Sequence, residues 1–193
     1  MMALPAEKER YTFADILAWN DGERAEIIDG EVFLMAPAPS REHQKVSGEI
    51  FRQLANYLEG KRCEVYQAPF DVRLFEKDGD TPEDVDTVVE PDIVVVCDHS
   101  KLDDRGCKGA PDMVVEILSP STQRHDRLVK LSLYQRAGVR EYWIVSPDDQ
   151  TVQVLTLSNG LLLPHEVYSR KDVAKVNALD GCFIEWSKVF PER

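Results

Sequence analysis

At 193 residues, with 43% hydrophobic and 30% charged residues, the chain is long enough to bury a core and too apolar to be disordered. No apolar run reaches bilayer-spanning length, and the opening MMALPAEKERYTF lacks the apolar stretch of a secretory signal, so a cytoplasmic protein of one domain over residues 1–193 is expected, without a membrane partner. The formal charge of −12 disfavours a general polyanion binder unless the charge is segregated, because holding a duplex depends on Lys and Arg neutralising phosphates.

Along the chain, Thr12 opens a short helix through Ile16 and Leu17. RAEIIDGEVFLM predicts a hairpin turning at Asp29-Gly30. Ser40 then caps a helix ending near Gly60, with Val46, Ile50, Leu54 and Leu58 as its buried stripe. CEVYQ and FDVRLF read as strands before a loop, 76–86, with six acids against one base. EPDIVVVCD, PDMVVEIL and YWIVS are apolar on both faces, as strands inside a covered sheet are. A helix from about Gln123 to Ala137, ended by Gly138, joins the second of these to the third, which favours parallel pairing of the two. The segment 119–140 is the basic counterpart of the acidic loop, with five bases against one acid. TVQVLTL and LLPHEVYS form a hairpin at Asn159-Gly160. The fold class is α/β, a mixed sheet with helices on its faces. Cys63, Cys97, Cys107 and Cys182 show no CxxC or zinc-type spacing and are expected as reduced thiols.

Three charges break the burial pattern. Glu116 interrupts an apolar strand and must find a partner, since an unpaired buried ion is expensive. Asp92 heads the preceding apolar strand; if the two strands are neighbours in register, the carboxylates converge at one edge. Two carboxylates ~4 Å apart repel by about 4 kcal/mol at an effective dielectric of 20. Either one is protonated or a cation lies between them, and hard oxygen ligands suit Mg²⁺ or Mn²⁺. Lys130 precedes Leu133, Tyr134 and Ala137 by three, four and seven residues, a place for an apolar side chain. Periodicity alone favours a lysine that buries its stem and snorkels to water. The three residues together make a coherent set for metal-assisted hydrolysis: two acids for the ion, and an ammonium for the water or the developing charge.

The run GAPDMVVEILSPSTQRHDRLVKLSLYQRAGVREYWIVSPDDQTVQV, with EPDIVVV and the Ser40–His43 helix start upstream, resembles the Uma-two family of restriction-endonuclease-like proteins. That resemblance implies the PD-(D/E)XK nuclease framework: a restriction-endonuclease-like core, Mg²⁺-dependent cutting and DNA as substrate. It also implies a homodimer, since cutting two strands favours two sites. Carried over, Asp92 matches the PD acid and Glu116 the acid of the second motif. Leu118 stands where the superfamily motif has lysine, and Lys130 is the position that fits a lysine moved to the helix. His43 resembles a recurrent family histidine and is of second rank.

Other residues rank lower. Asp112, in a second PD, shares a strand face with Glu116 but lies about 13 Å away at ~3.3 Å per residue, too far to share an ion. Arg124 and Arg127 are candidate phosphate contacts, with surface solvation as the default. Gln67 and Arg73 are candidate flanks of the cleft. A hydrolase triad from Ser119, Ser121, His125 and Asp126 fails, since adjacent helical residues point ~100° apart. The leading function is a Mg²⁺-dependent endodeoxyribonuclease. The competing readings are a non-catalytic nuclease-like module that binds nucleic acid or protein, and a scaffold in which Glu116 and Lys130 are merely a buried pair.

Overall fold

The computed structural model describes residues 8–19, 24–35, 38–120, 123–190 and 192. In chain order the elements are α1 (Phe13–Ala18), β1 (Ala25–Ile28), β2 (Glu31–Leu34), α2 (Arg41–Leu58), β3 (Glu64–Gln67), β4 (Val72–Arg73), β5 (Val88–Val89), β6 (Ile93–Val96), β7 (Leu102–Asp103), β8 (Gly106–Lys108) and β9 (Met113–Ile117). A π-helical turn (His125–Lys130) runs into α3 (Leu131–Ala137). Then come β10 (Glu141–Ser146), β11 (Thr151–Ser158), β12 (Leu161–Ser169), β13 (Val173–Lys175), β14 (Phe183–Glu185) and α4 (Trp186–Val189).

The expected long elements form for the expected reasons. Ser40 Oγ accepts the His43 N–H at 3.1 Å and starts α2, whose buried positions include Val46, Ile50, Leu54 and Leu58. Both hairpins turn with two consecutive residues at positive φ, Asp29 (52°) with Gly30 (85°) and Asn159 (52°) with Gly160 (79°), the geometry that suits strand twist.

The chain is a mixed α/β fold with two six-stranded sheets and few helices. The central sheet has the order β12-β11-β10-β9-β6-β3, with β9 and β10 parallel and the other pairs antiparallel. The other sheet, β2-β1-β5-β4-β8-β7, was not foreseen. Several of its strands are only two or three residues long, too short to show an alternating pattern. It packs on the same face of the central sheet as α3, through Ile28, Val72, Val89, Val94, Val114, Tyr134 and Tyr142. α2, α4 and the β13–β14 hairpin cover the opposite face, through Ile50, Leu54, Ile93, Val115, Trp143, Ile184 and Trp186.

Two expectations are corrected. The helix over 123–137 is not uniformly α: His125–Lys130 is a π turn, a wider i→i+5 loop that places Asp126 and Lys130 inward and leaves Leu128 60% exposed. The cysteines are not all thiols, because antiparallel pairing of Glu64 with Val96 sets Cys63 beside Cys97, and these two form a disulfide. Cys107 and Cys182 are free and buried. Among the described residues, no helix is long and apolar enough to cross a membrane.

Candidate active site

Strands β6 and β9 run antiparallel with Ile93 opposite Val115 and Val94 opposite Val114, so the same register carries Asp92 to the place opposite Glu116. That place is the end of two central strands, where a cleft of about 1090 Å³ lined by both residues opens. Asp92 Oδ2 accepts the Ile117 N–H at 2.7 Å, which ties the carboxylate to the strand carrying Glu116. His43, in the first turn of α2, brings Nε2 to 3.2 Å from the same oxygen. Burial pulls the His43 pKa down, but the hydrogen bond to and charge of Asp92 outweigh it, and the value is raised above 6.5.

Lys130 does not snorkel. Its side chain is 5% exposed, with Nζ 2.8 Å from Glu116 Oε1, 2.8 Å from Glu26 Oε1 and 3.9 Å from Asp126 Oδ1. Tyr134, one helical turn further on, donates its hydroxyl to Glu116 Oε1 at 2.6 Å. Glu26 Oε1 also accepts the Glu90 N–H at 3.0 Å, and His125 Nε2 lies 3.7 Å from Glu26 Oε2.

The two carboxyls that share the ammonium differ. Burial raises the Glu26 pKa, but the Lys130 charge, the nearby His125 ring and hydrogen bonds from Lys130 and Glu90 bring it to about 2. For Glu116 burial dominates; Asp126, Asp92 and Glu26 add their repulsion, and despite Lys130 the carboxyl is pushed up to about 8. The cluster holds more carboxylate than its one ammonium can compensate.

That excess is the fit test for a divalent cation. Among the described residues no group of three or more His, Cys, Asp or Glu side chains is arranged as a closed metal cage. Asp92 and Glu116 instead form a two-carboxylate edge open to the cleft, and both contacts of Glu116 with described residues go to Oε1. Magnesium is commonly held in this way, by one or two carboxylates with water and substrate phosphate completing the octahedron. Asp92 and Glu116 fit such an ion, in a site that supplies counter-charge and an open side.

The other candidates fall elsewhere. Asp112 accepts the Cys97 N–H and pairs with Arg140, at the far end of β9 from the cleft. Arg124 is exposed, and Arg127 reaches Gln153 at 3.4 Å; neither lines the cleft. Gln67 does line it and donates to Ser47 Oγ at 2.7 Å, whereas Arg73 is buried against Glu76 and Asp103. Arg136 is paired with Asp29, so much of the basic segment is already committed to acids. Ser121 lies outside the described residues.

Glu26 and the structural part of Asp126 were missed. Glu26 bore the same mark as Glu116, a lone acid within an apolar strand, AEII, whose four residues are all buried. Asp126 had its signal too, four residues before Lys130.

The family profile "Uma2: Putative restriction endonuclease" matches residues 12–186. An uncharacterized protein of Synechocystis sp. is 28% identical over 135 residues, which are 68% of this chain and 66% of that protein. The fold is similar to a crystal structure described as "a putative nuclease belonging to DUF820" from Anabaena variabilis. That likeness has a TM-score of 0.72 at 19% identity and covers 93% of this chain and 97% of the other.

Proposed function

Since the chain belongs to the Uma2 family, described as "Putative restriction endonuclease", we propose that it hydrolyses DNA phosphodiester bonds with Mg²⁺ or Mn²⁺, its 193 residues acting as one nuclease-like domain. The observation that carries this reading is the pairing of Asp92 with Glu116 across β6 and β9, beside a buried Lys130 and at the mouth of a cleft.

Asp92 and Glu116 would hold the ion. When bound, it supplies Lewis-acid charge stabilisation and an activated nucleophile. The Ile117 N–H and His43 keep Asp92 oriented, as outer partners of ligating carboxylates commonly do. Tyr134 and Lys130 fix Glu116 Oε1. The Lys130 ammonium places a fixed positive charge next to the reacting phosphoryl group, where charge builds in the transition state.

The test combines cleavage and stability. Wild type should nick DNA with Mg²⁺ or Mn²⁺ and not with EDTA, and millimolar metal should raise its melting temperature by mass action. Glu116→Ala should lose both responses. Absence of cleavage and of any metal-dependent shift in wild type would sink the proposal.

A second reading, a binding module without catalysis, is favoured by one observation. Among the described residues the cations lining the cleft are Arg24, paired with Glu90, and Lys130, paired with Glu26 and Glu116. It predicts nucleic-acid or protein binding that survives Glu116→Ala in EDTA.

A further inference from the structure

Lys130 poses an electrostatic difficulty for the site just described. A fixed ammonium in hydrogen-bond contact with a carboxylate repels any further cation that carboxylate might bind, and in a buried setting the repulsion is weakly screened. The structure offers a remedy in Glu26. This residue comes from β1 of the other sheet and brings Oε1 to 2.8 Å from Lys130 Nζ, the same distance that separates Nζ from Glu116. The side chains of Glu26, Glu116 and Lys130 are each 5% exposed, so water does little to screen the ammonium. The backbone N–H of Glu90 donates to Oε1 as well, which fixes the carboxylate in place as an anion.

We propose that Glu26 is the counter-ion of Lys130: a positioning residue whose charge cancels that of the ammonium, so that Glu116 and Asp92 retain their affinity for a divalent cation while Lys130 stays fixed beside them. This inference rests on the metal-dependent reading above. It separates two tasks that one carboxylate could not perform together. Glu26 neutralises the lysine; Glu116 binds the ion and also orients the lysine. A purely structural Glu26 would affect folding, and its effect on metal affinity would not be reversed by removing Lys130.

The experiment is calorimetric titration of Mn²⁺ into the full chain as wild type, Glu26→Gln, Lys130→Met and the double variant. Glu26→Gln leaves the ammonium uncancelled and should weaken Mn²⁺ binding by about fivefold or more, the effect of losing a unit charge ~8 Å from a divalent ion even at water-like dielectric. Lys130→Met should tighten binding. The double variant, with both charges gone, should return to within about threefold of wild type. Glu26→Gln binding Mn²⁺ as wild type does, or a double variant as weak as Glu26→Gln, would overturn the counter-ion role. If Glu26→Gln does not fold, Lys130→Met decides: tighter binding supports the role, and unchanged or weaker binding overturns it. Wild type that binds no Mn²⁺ removes the metal reading and this inference with it, whereas wild-type binding with unchanged Glu26→Gln removes the inference alone.

Discussion

Glu116 and Glu141 are both carboxylates sealed inside the central sheet, on neighbouring strands and opposite faces, and they are built for different ends. Glu141 is 0% exposed and meets three neutral donors: Trp143 Nε1 at 2.7 Å, Asn177 Nδ2 at 3.2 Å and the Ala178 N–H at 2.6 Å. Each donor comes from β10 or from the segment between β13 and β14, so Glu141 fastens that segment to the sheet. Glu116 meets one ammonium that it shares with Glu26, and two further acids, Asp126 and Asp92, crowd it. The lesson is that burial of an acid is no sign of chemistry. What separates the two is an acid crowded by other acids at the edge of a cleft, against an acid held by three hydrogen-bond donors away from it.

Exchanging the two acids for alanine tests that contrast most strongly. Glu116→Ala should reduce metal-dependent cleavage by on the order of 100-fold or more, and Glu141→Ala should keep both cleavage and the metal-induced rise in melting temperature. Glu141→Ala should instead be the costlier change for folding, at about 3 kcal/mol for three stranded donors, or ~6–12 °C in melting temperature, read by calorimetry.

The next effect is one of pH. The Glu116 carboxyl is pushed up from an ordinary 4.5 to about 8, so the native state keeps a proton that the unfolded chain gives up. Its contribution to stability is full below about pH 4.5 and is lost as pH rises to about 8. In EDTA, wild type should lose a few degrees of melting temperature across that window relative to Glu116→Gln, which has no such proton to lose. Equal slopes for the two proteins would show that Glu116 is ionised throughout.

The smallest effect belongs to His43. Its pKa is raised above 6.5 by Asp92, so the stability it contributes is full below that value and is lost as pH rises through the higher native one. Removal by His43→Ala should cost below about 1 kcal/mol near pH ~6 and less near pH ~9, since the pair is partly open to water. A cost that grows with pH would contradict the ion pair.

What could be read in the sequence was whatever had a local pattern. The two hairpin turns, the stripe of α2 and the three doubly apolar strands each announce themselves within a window of a few residues, and Asp92 and Glu116 stood out against the last of these. The remainder depends on contacts between distant segments. The two- and three-residue strands β4, β5, β7 and β8 have no period of their own and exist because the other sheet pairs them. The π turn has no apolar period to betray it, and the Cys63–Cys97 bond follows from strand register. Glu26 was visible as a lone acid in AEII, but its meaning lay in Lys130, which only the docking of two sheets brings near.

That docking has a consequence for when activity can appear. Glu26 comes from the N-terminal hairpin, His43 from α2, Asp92 and Glu116 from separate strands, and Lys130 from the π turn late in the chain. A nascent or partly folded chain can hold one or two of these pieces but not the set, because long-range contacts close last. The candidate centre is thus assembled only on a finished molecule, and under the proposed function a polypeptide still leaving the ribosome, or one that has misfolded, carries no competent site.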